Sequence, residues 1–308
     1  MKTVKNLFCL GGTTLMPLVH GTELFQAARK GHYAIGAFNT NNLEWTRAIL
    51  KGAQELNVPV LIQTSMGAAK YMGGYELCKQ LIEATVKSMA ITVPVVIHLD
   101  HGDFEAAKEA IAAGYNSVMF DGHDLPFEEN VEKTKEIVKL AHSKGISVEA
   151  EVGSIGGEED GVVGEGELAS VEEAKTLAAT GIDFLAAGIG NIHGQYPANW
   201  KGLHFDRLQE IADAVDLPLV LHGGSGIPQD QVEKAISMGI SKLNINTECQ
   251  LAFAKATREY ILAGKDQEGK GYDPRKLLAP GTQAITDTFK EICGWMGTRP
   301  VKLVPEEI

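Results

Sequence analysis

The feature that most constrains the fold of this chain is a strand–helix unit that repeats eight times from about residue 20 onward. In each unit a short apolar run is followed by a segment with 3.6-residue apolar periodicity and then by a glycine or proline. Strands that alternate with helices form parallel sheets, and eight such units close into a TIM (β/α)8 barrel. The predicted strands are 34–38, 59–63, 93–102, 117–120, 146–150, 184–187, 218–221 and 242–245.

The repeat predicts one catalytic domain over residues 16–308, because such a barrel takes about 250 residues and no linker interrupts the chain. An open doubly wound sheet would need five or six strands and a glycine-rich turn after the first, where this chain has Asn39-Thr40-Asn41-Asn42. Residues 1–15 form an N-terminal extension to which we assign no role, since Met16 resembles a second start. The predicted helices are 22–30, 43–56, 75–89, 104–113, 128–143 and 249–262, with an extra C-terminal helix over 273–296.

The composition argues against two classes of partner. With 28 basic and 40 acidic residues the net charge is -12, so no basic excess is available to displace counterions from nucleic acid or from an anionic membrane. No apolar run reaches membrane-spanning length. The four cysteines lie far apart and form no Cys-x-x-Cys pair, which argues against a zinc ribbon or a redox dithiol. We therefore expect a cytoplasmic protein with reduced thiols.

Polar side chains follow nearly every predicted strand, at the end of the barrel where this fold places its chemistry. Three of them are imidazoles, His101, His193 and His222, just past strands three, six and seven. One histidine at the start of a loop is more often a cap, but three at one level of a barrel are the ligand set of a catalytic zinc site. Glu151 is an alternate ligand. The polar residues at the strand ends are Asn39, Ser65, Asp100, His101, Asp121, Glu151, His193, His222, Asn244 and Asn246.

Two glycine-rich loops add to this face of the barrel. The loop 153–161 contains three consecutive acids, and a carboxylate on a mobile loop beside a metal is typical of a gated general base, with a solvated acidic loop as the alternative. The loop 222–226 follows strand seven, and 244–247 follows strand eight. Loops at these two positions form the usual phosphate site of the fold.

A phosphorylated carbonyl substrate, a Lewis-acid metal and two carboxylates together indicate carbon–carbon chemistry through an enediolate. An aldolase that forms a Schiff base would need a buried lysine near a strand end. Strand six contains no lysine, and Lys242 begins strand eight, at the opposite end of the barrel. The metal-dependent mechanism therefore fits the sequence better.

These motifs resemble those of class II, zinc-dependent fructose-1,6-bisphosphate aldolases, especially the Gram-positive bacterial type. The resemblance covers about residues 16–300. The matching stretches are Val95-Val96-Ile97-His98-Leu99-Asp100-His101-Gly102, the segment 148–160, Gly190-Asn191-Ile192-His193-Gly194, the segment 221–228 and Asn244-Ile245-Asn246-Thr247-Glu248.

The resemblance implies a role for each matching residue. Zinc would bind to His101, His193 and His222, with Na+ or K+ nearby, and Glu151 and Asp121 match positions of a displaced or second metal. Asp100 would transfer the proton of the C4 hydroxyl, and Glu159 the proton at C3 of dihydroxyacetone phosphate. The residues that would contact the sugar bisphosphate are Asn39, Ser65, Gly194, Gly223, Ser225, Asn244, Asn246, Thr247 and Arg275. Arg275 would come from a neighbouring subunit, which implies a homo-oligomer, either dimer or tetramer.

The expected reaction is therefore reversible cleavage of fructose 1,6-bisphosphate to dihydroxyacetone phosphate and glyceraldehyde 3-phosphate, in glycolysis. The nearest alternative is tagatose 1,6-bisphosphate, and Asn246 weakly favours fructose because tagatose-type relatives often have alanine there. A metal-dependent amidohydrolase-like barrel would need an aspartate after strand eight, where this chain has Asn244 and Asn246. A second, non-enzymatic surface-binding role also stays open. His123 and Asp124 depart from the family pattern and receive no assignment.

Overall fold

The computed structural model describes residues 17–159, 162–164 and 166–300, so the predicted extension 1–15 lies outside the described residues. In chain order the elements are α1 (Thr22–Gly31), β1 (Ile35–Asn39), α2 (Leu43–Leu56), β2 (Val60–Thr64), α3 (Met66–Met72), α4 (Tyr75–Ser88), β3 (Val95–Gly102), α5 (Phe104–Ala113), β4 (Ser117–Phe120), α6 (Phe127–His142), β5 (Ser147–Val152), β6 (Gly156–Glu159), β7 (Val162–Gly164), α7 (Val171–Ala178), β8 (Phe184–Ala187), β9 (Ile192–His193), α8 (Phe205–Ala214), β10 (Leu219–Leu221), α9 (Gln229–Ser237), β11 (Ile240–Ile245), α10 (Thr247–Leu262), α11 (Pro274–Leu277) and α12 (Ala279–Trp295).

Eight parallel strands form a closed barrel in the order β1-β11-β10-β8-β5-β4-β3-β2. This confirms the predicted TIM barrel, and every predicted strand is present. The helices α3, α7, α8 and α9 were not predicted, and the predicted C-terminal helix is divided into α11 and α12. A second sheet, β7-β6-β9, was also not predicted. No helix among the described residues is long and apolar enough to cross a membrane.

The amino-terminal end of the barrel is closed by α1. Phe25 of α1 is buried against Phe184 of β8, with ring centroids 4.9 Å apart. The interior at this end is a single apolar cluster. Burial of its apolar surface stabilises the fold by about 25 cal/mol per Å². Its strand residues are Ile35, Ala37, Leu61, Val96, Met119, Phe184, Ala186 and Val220. The buried titratable side chains of the barrel interior therefore lie beyond this cluster, towards the carboxyl ends of the strands.

The C-terminal helix α12 completes the helical layer. Phe289 of α12 packs on Phe38 of β1 with ring centroids 4.5 Å apart, and Thr286 Oγ1 donates a hydrogen bond to the carbonyl of Ala48 in α2 (3.1 Å). Residues from all of the barrel strands and most of the helices share one larger apolar core outside the barrel wall. The strand ends are thus held on a rigid scaffold.

Candidate active site and metal centre

The three predicted histidines converge at the carboxyl end of the barrel. His101 lies near the end of β3, His193 ends β9, and His222 follows β10 directly. Their ring centroids are 4.5 Å (His101–His222), 4.8 Å (His101–His193) and 6.0 Å (His193–His222) apart. One ring nitrogen of each lies within 4.8 Å of a nitrogen of the others. Three imidazoles at this spacing could hold a metal ion.

An irregularity in β3 allows neighbouring residues Asp100 and His101 to face the same site. In a regular strand successive side chains point to opposite faces, and Val96, His98 and Asp100 would share the interior face. The pairing of β3 with β4 shifts register between Leu99 and Gly102, and His101 has a left-handed backbone (φ 47°). Such a conformation is costly for a residue other than glycine and is common at functional sites. It turns the His101 imidazole towards the barrel mouth.

His193 depends on two close backbone approaches to β9. Gly157 of β6 pairs with His193, and a Cβ at Gly157 (φ 93°) would meet the carbonyl oxygen of His193 at 2.1 Å. On the other side, a Cβ at Gly223 (φ 61°) would meet the carbonyl oxygen of Ile192 at 2.0 Å. Both positions therefore require glycine. They bring the loops after β5 and β10 against the strand that contains His193.

A second cluster of ligand-type groups surrounds the other side of His101. Its Nδ1 lies 2.6 Å from Asp121 Oδ2 and 4.0 Å from Glu151 Oε2, whereas its Nε2 lies 2.8 Å from His222 Nδ1. Glu151 Oε2 is buried and has no hydrogen-bond partner within the described part of the chain. The predicted outer position of Asp121 and Glu151 therefore shares His101 with the three-histidine cluster. His123, which received no assignment, lies with its Nδ1 2.7 Å from Asp121 Oδ1.

The surroundings shift the pKa values of these groups in opposite directions. Burial and the neighbouring charges of His101 and His222 lower the pKa of His193 to about 2, and burial also lowers the pKa of His222. Both rings are neutral at pH 7, which is the form that binds a metal. Burial acts in the same direction on His101, but its hydrogen bond to Asp121 and nearby carboxylates raise its pKa well above the ordinary value. Burial and the Asp121 charge raise the pKa of Glu151.

Asp100 is held beside the imidazoles by three amide groups. Asn39 Nδ2 (2.9 Å) and Gln63 Nε2 (3.0 Å) donate to its Oδ2, and Asn244 Nδ2 (3.0 Å) donates to its Oδ1. The same Oδ1 lies 4.0 Å from His222 Nδ1. Burial opposes ionisation of Asp100, but the positive charges around it lower its pKa. The structure thus presents an ionised, immobile carboxylate at the site, which is the form that a general base needs.

The loops after β10 and β11 form a joined, backbone-rich surface. Gly224 N donates to the Asn244 carbonyl (3.0 Å), and Glu248 N donates to Ser225 Oγ (3.2 Å). The 16-residue helix α10 begins here at Thr247, and its Asn246 N-cap makes no side-chain cap hydrogen bond. Free N–H groups at a helix N-terminus attract anions. The predicted phosphate residues Gly223, Ser225, Asn246 and Thr247 therefore lie together on this surface, whereas Asn244 faces Asp100.

The remaining predicted residues are placed differently. Ser65 is the N-cap of α3 and accepts a hydrogen bond from Ala68 N (3.2 Å). Gly194 follows His193 with φ 81°. Glu159 is the last residue of β6, and its side chain lies outside the described residues. The Arg275 side chain is 88% exposed at the start of α11 and pairs with Asp273 of the same chain.

Five residues that shape the site were not predicted from the sequence. Asn191 Nδ2 donates to the His222 carbonyl (3.0 Å), and the Tyr196 hydroxyl donates to the Gly223 carbonyl (2.8 Å), so both tie the β9 loop to the β10 loop. Gln63 supports Asp100, as described above. Glu149 and Lys242 lie inside the barrel under His222. Asn191 and Glu149 stand inside motifs that were recognised in the sequence, whereas Gln63, Tyr196 and Lys242 do not.

Comparison with known proteins identifies the family of this chain. Residues 19–300 match the family model described as "Fructose-bisphosphate aldolase class-II". The chain is 60% identical over 282 residues to the fructose-bisphosphate aldolase of Streptococcus pyogenes serotype M3, covering 90% of this chain and 96% of that protein. It is 55% identical to the fructose-bisphosphate aldolase of Mycoplasma pneumoniae, covering 90% of this chain and 98% of that protein.

The fold agrees with a solved structure as well. A crystal structure of a candidate fructose-1,6-bisphosphate aldolase from Coccidioides immitis aligns with a TM-score of 0.80 and 32% identity, covering 89% of this chain and 95% of that chain. The predicted resemblance, fold and aldolase activity are therefore confirmed, and the family is metal-dependent. This chain belongs to the class II fructose-bisphosphate aldolase family.

Proposed function

We propose that His101, His193 and His222 hold zinc and that Asp100 moves the proton in the reversible cleavage of fructose 1,6-bisphosphate. The observation that carries the proposal is the position of the Asp100 side chain, which is fixed by three amides with its Oδ1 4.0 Å from a ring nitrogen of the three-histidine cluster. Zinc, when bound, supplies Lewis-acid polarisation of the substrate carbonyl.

Two carboxyl groups would carry out the proton transfers of the reaction. Asp100 accepts the proton of the C4 hydroxyl as the C3–C4 bond breaks, and glyceraldehyde 3-phosphate leaves with the new carbonyl at C4. The protonated carboxyl group of Glu159 donates its proton to C3, which gives dihydroxyacetone phosphate and leaves Glu159 as a carboxylate. Support for Glu159 comes from the backbone, because β6 pairs with β9 through Gly157 and His193 and therefore runs beside the metal ligands.

The substrate's phosphates need separate anchors. One phosphate would bind to the surface formed by Gly223, Ser225, Asn246 and Thr247, where a helix N-terminus and glycine backbones offer N–H groups, and to Gly194 beside His193. Na+ or K+ beside this phosphate would offset its charge. Asn39, Ser65 and Asn244 would contact the rest of the substrate; Asn39 and Asn244 both donate to Asp100.

Arg275 would bind the other phosphate from a neighbouring subunit of a dimer or tetramer. In its own chain its guanidinium is exposed and bonds Asp273. The helix α10 contains one fully buried residue, Cys249, and the exposed apolar side chains Leu251, Ile261 and Leu262 lie along it. An unpartnered apolar surface next to an exposed arginine supports an interface between copies of the chain. The proposed location is the cytoplasm, with a role in glycolysis.

Three measurements on the purified protein test the metal, the mechanism and the substrate. A chelator should abolish cleavage of fructose 1,6-bisphosphate, and added zinc should restore it, while borohydride with substrate should trap no covalent adduct. The kcat/KM for fructose 1,6-bisphosphate should exceed that for its C4 epimer, tagatose 1,6-bisphosphate. A clear preference for the tagatose sugar would overturn the substrate assignment, and activity that survives complete metal removal would overturn the mechanism.

A further inference from the structure

An ion pair lies inside the barrel directly below the three histidines. Lys242 Nζ is 2.7 Å from Glu149 Oε2, and both side chains are 0% exposed. The sequence placed Lys242 at the start of the eighth strand, but β11 begins at Ile240, so that Lys242 lies within the strand, two residues below Asn244. None of the catalytic steps described above uses either group.

The pair reaches the site through His222. Glu149 Oε1 lies 2.7 Å from His222 Nε2. An ionised carboxylate only accepts hydrogen bonds, so Nε2 must carry the proton in this contact. The neutral ring then keeps its lone pair on Nδ1, the nitrogen that lies 2.8 Å from His101 Nε2.

The other carboxylate oxygen is anchored on the opposite side. Glu149 Oε2 contacts Lys242 Nζ (2.7 Å) and lies 3.4 Å from His98 Nε2. His98 is in turn fixed by Ser117, since its Nδ1 lies 2.8 Å from Ser117 Oγ. With both oxygens engaged, the carboxylate has no free rotation and aims Oε1 at the His222 ring.

Packing alone does not explain a buried ion pair at this position. Barrel interiors are usually filled by branched apolar residues, and a buried ion pair is often no more stabilising than apolar residues of the same volume. A contact that sets the tautomer of one imidazole is something apolar side chains cannot supply. Hydrogen bonds to the outer nitrogen of a metal ligand fix its orientation and raise metal affinity.

We propose that Glu149 is a positioning residue that fixes the His222 ring with Nδ1 towards the metal, and that Lys242 holds the Glu149 carboxylate in place. This inference rests on the proposed function, because it takes His222 as a ligand. It concerns the affinity of the site for metal, so zinc binding itself is the readout.

Three variants separate positioning from packing: Glu149→Gln, Lys242→Met and the double variant. The Kd for zinc is measured by competition with a chromophoric chelator, and the absorption spectrum of the Co2+-loaded protein reports ligand geometry. Glu149→Gln should weaken zinc binding about 10- to 100-fold and alter the Co2+ spectrum. Lys242→Met should lower the Tm most, since it leaves a buried carboxylate without its counter-charge. The double variant should regain Tm while its zinc affinity stays as weak as that of Glu149→Gln.

The matched control is Asp183→Asn at the amino-terminal end of the barrel. Asp183 also anchors several elements, accepting from Thr22 Oγ1 (2.7 Å) and Val148 N (2.8 Å), but it touches no site residue. It should lower Tm with zinc affinity unchanged. Wild-type zinc affinity in both Glu149→Gln and the double variant would overturn the inference, as would equal weakening in the control.

If the variants fail to fold, a measurement on the unaltered protein still tests the proposal. Nitrogen-15 correlation spectra of the histidine rings, with the His222 signals identified by their loss in His222→Gln, should show His222 protonated at Nε2 with and without zinc. A proton on Nδ1 in the zinc-loaded protein would overturn the inference. Failure of the proposed metal site can be distinguished from failure of the Glu149 inference. If the three histidines do not bind zinc, His193→Ala will keep wild-type zinc affinity.

Discussion

Substitution of Asp100 by asparagine separates catalysis from stability. The two side chains have the same shape, but all three neighbours of Asp100 present N–H groups to it. Asn39 and Gln63 both donate to Oδ2, and Asn244 donates to Oδ1. The new amide nitrogen will therefore take the Oδ1 position, where it faces one donor rather than two.

The hydrogen bonds around Asp100 determine how much stability Asp100→Asn loses. Asn244 can turn its amide to accept from the new N–H2 group, because its buried Oδ1 has no hydrogen-bond partner among the described residues. It then loses the contact between its Nδ2 and His222 Nδ1 (3.0 Å). One lost buried hydrogen bond costs about 1–3 kcal/mol, which for a chain of this size lowers Tm by about 2–6 °C. Loss of the proton acceptor costs about 10²–10⁴ in kcat.

The assay compares kcat for cleavage, Tm and bound zinc in Asp100→Asn and in a matched control. The control is Asp103→Asn, because Asp103 caps α5 by accepting from Ala106 N (2.8 Å) and asparagine caps a helix equally well. Asp100→Asn should keep its zinc and its fold while kcat falls at least a hundredfold, and the control should keep kcat within about twofold. A kcat loss under tenfold in Asp100→Asn would refute the assignment of Asp100 as the base.

Three further results are expected. Zinc affinity should fall about tenfold per pH unit as the pH drops below the raised pKa of His101, because a proton must leave that ring when metal binds; a flat profile by chelator competition would contradict this. Glu159→Ala should slow solvent exchange of the C3 proton of dihydroxyacetone phosphate with zinc content unchanged, and a loss of zinc would show that Glu159 is a ligand. Arg275→Ala should raise KM for the bisphosphate through loss of a charged phosphate contact, whereas an unchanged KM would remove Arg275 from the site.

The barrel could be predicted because its signals are local. Each strand is a short apolar run and each long helix shows its own period, so the eight units can be counted without knowledge of contacts. The rule that chemistry lies at the carboxyl ends of the strands then brings together His101, His193 and His222 from distant parts of the chain, as the structure does. The short strands β6, β7 and β9 lack such a signal, because glycine-rich segments become strands only where they pair.

Orientation at the strand ends was beyond sequence reasoning. His101 faces the site through a left-handed residue and a register shift, which depend on how β4 pairs with β3. Asn244 was expected to contact a phosphate, and the structure shows in addition that its Nδ2 donates to Asp100 Oδ1, a contact that could not be predicted from the sequence. Whether an amide contacts substrate or a catalytic carboxylate depends on distances of a few ångströms that residue type does not encode.

The buried layer beneath the site does follow a rule that can be read from the sequence. Interior side chains recur every second residue along a barrel strand. Counting back two positions from Asp100, Glu151 and Asn244 gives His98, Glu149 and Lys242, all fully buried. One more step of two gives Val96, which lies in the lower apolar cluster, and Ser147. In β11 the pairing with β10 shifts register after Ile240, which belongs to the outer core. His98, Glu149 and Lys242 thus stand at interior positions that are usually occupied by branched apolar residues in this fold. The support that we propose for the site from below therefore coincides with a departure from the apolar pattern that is visible in the sequence.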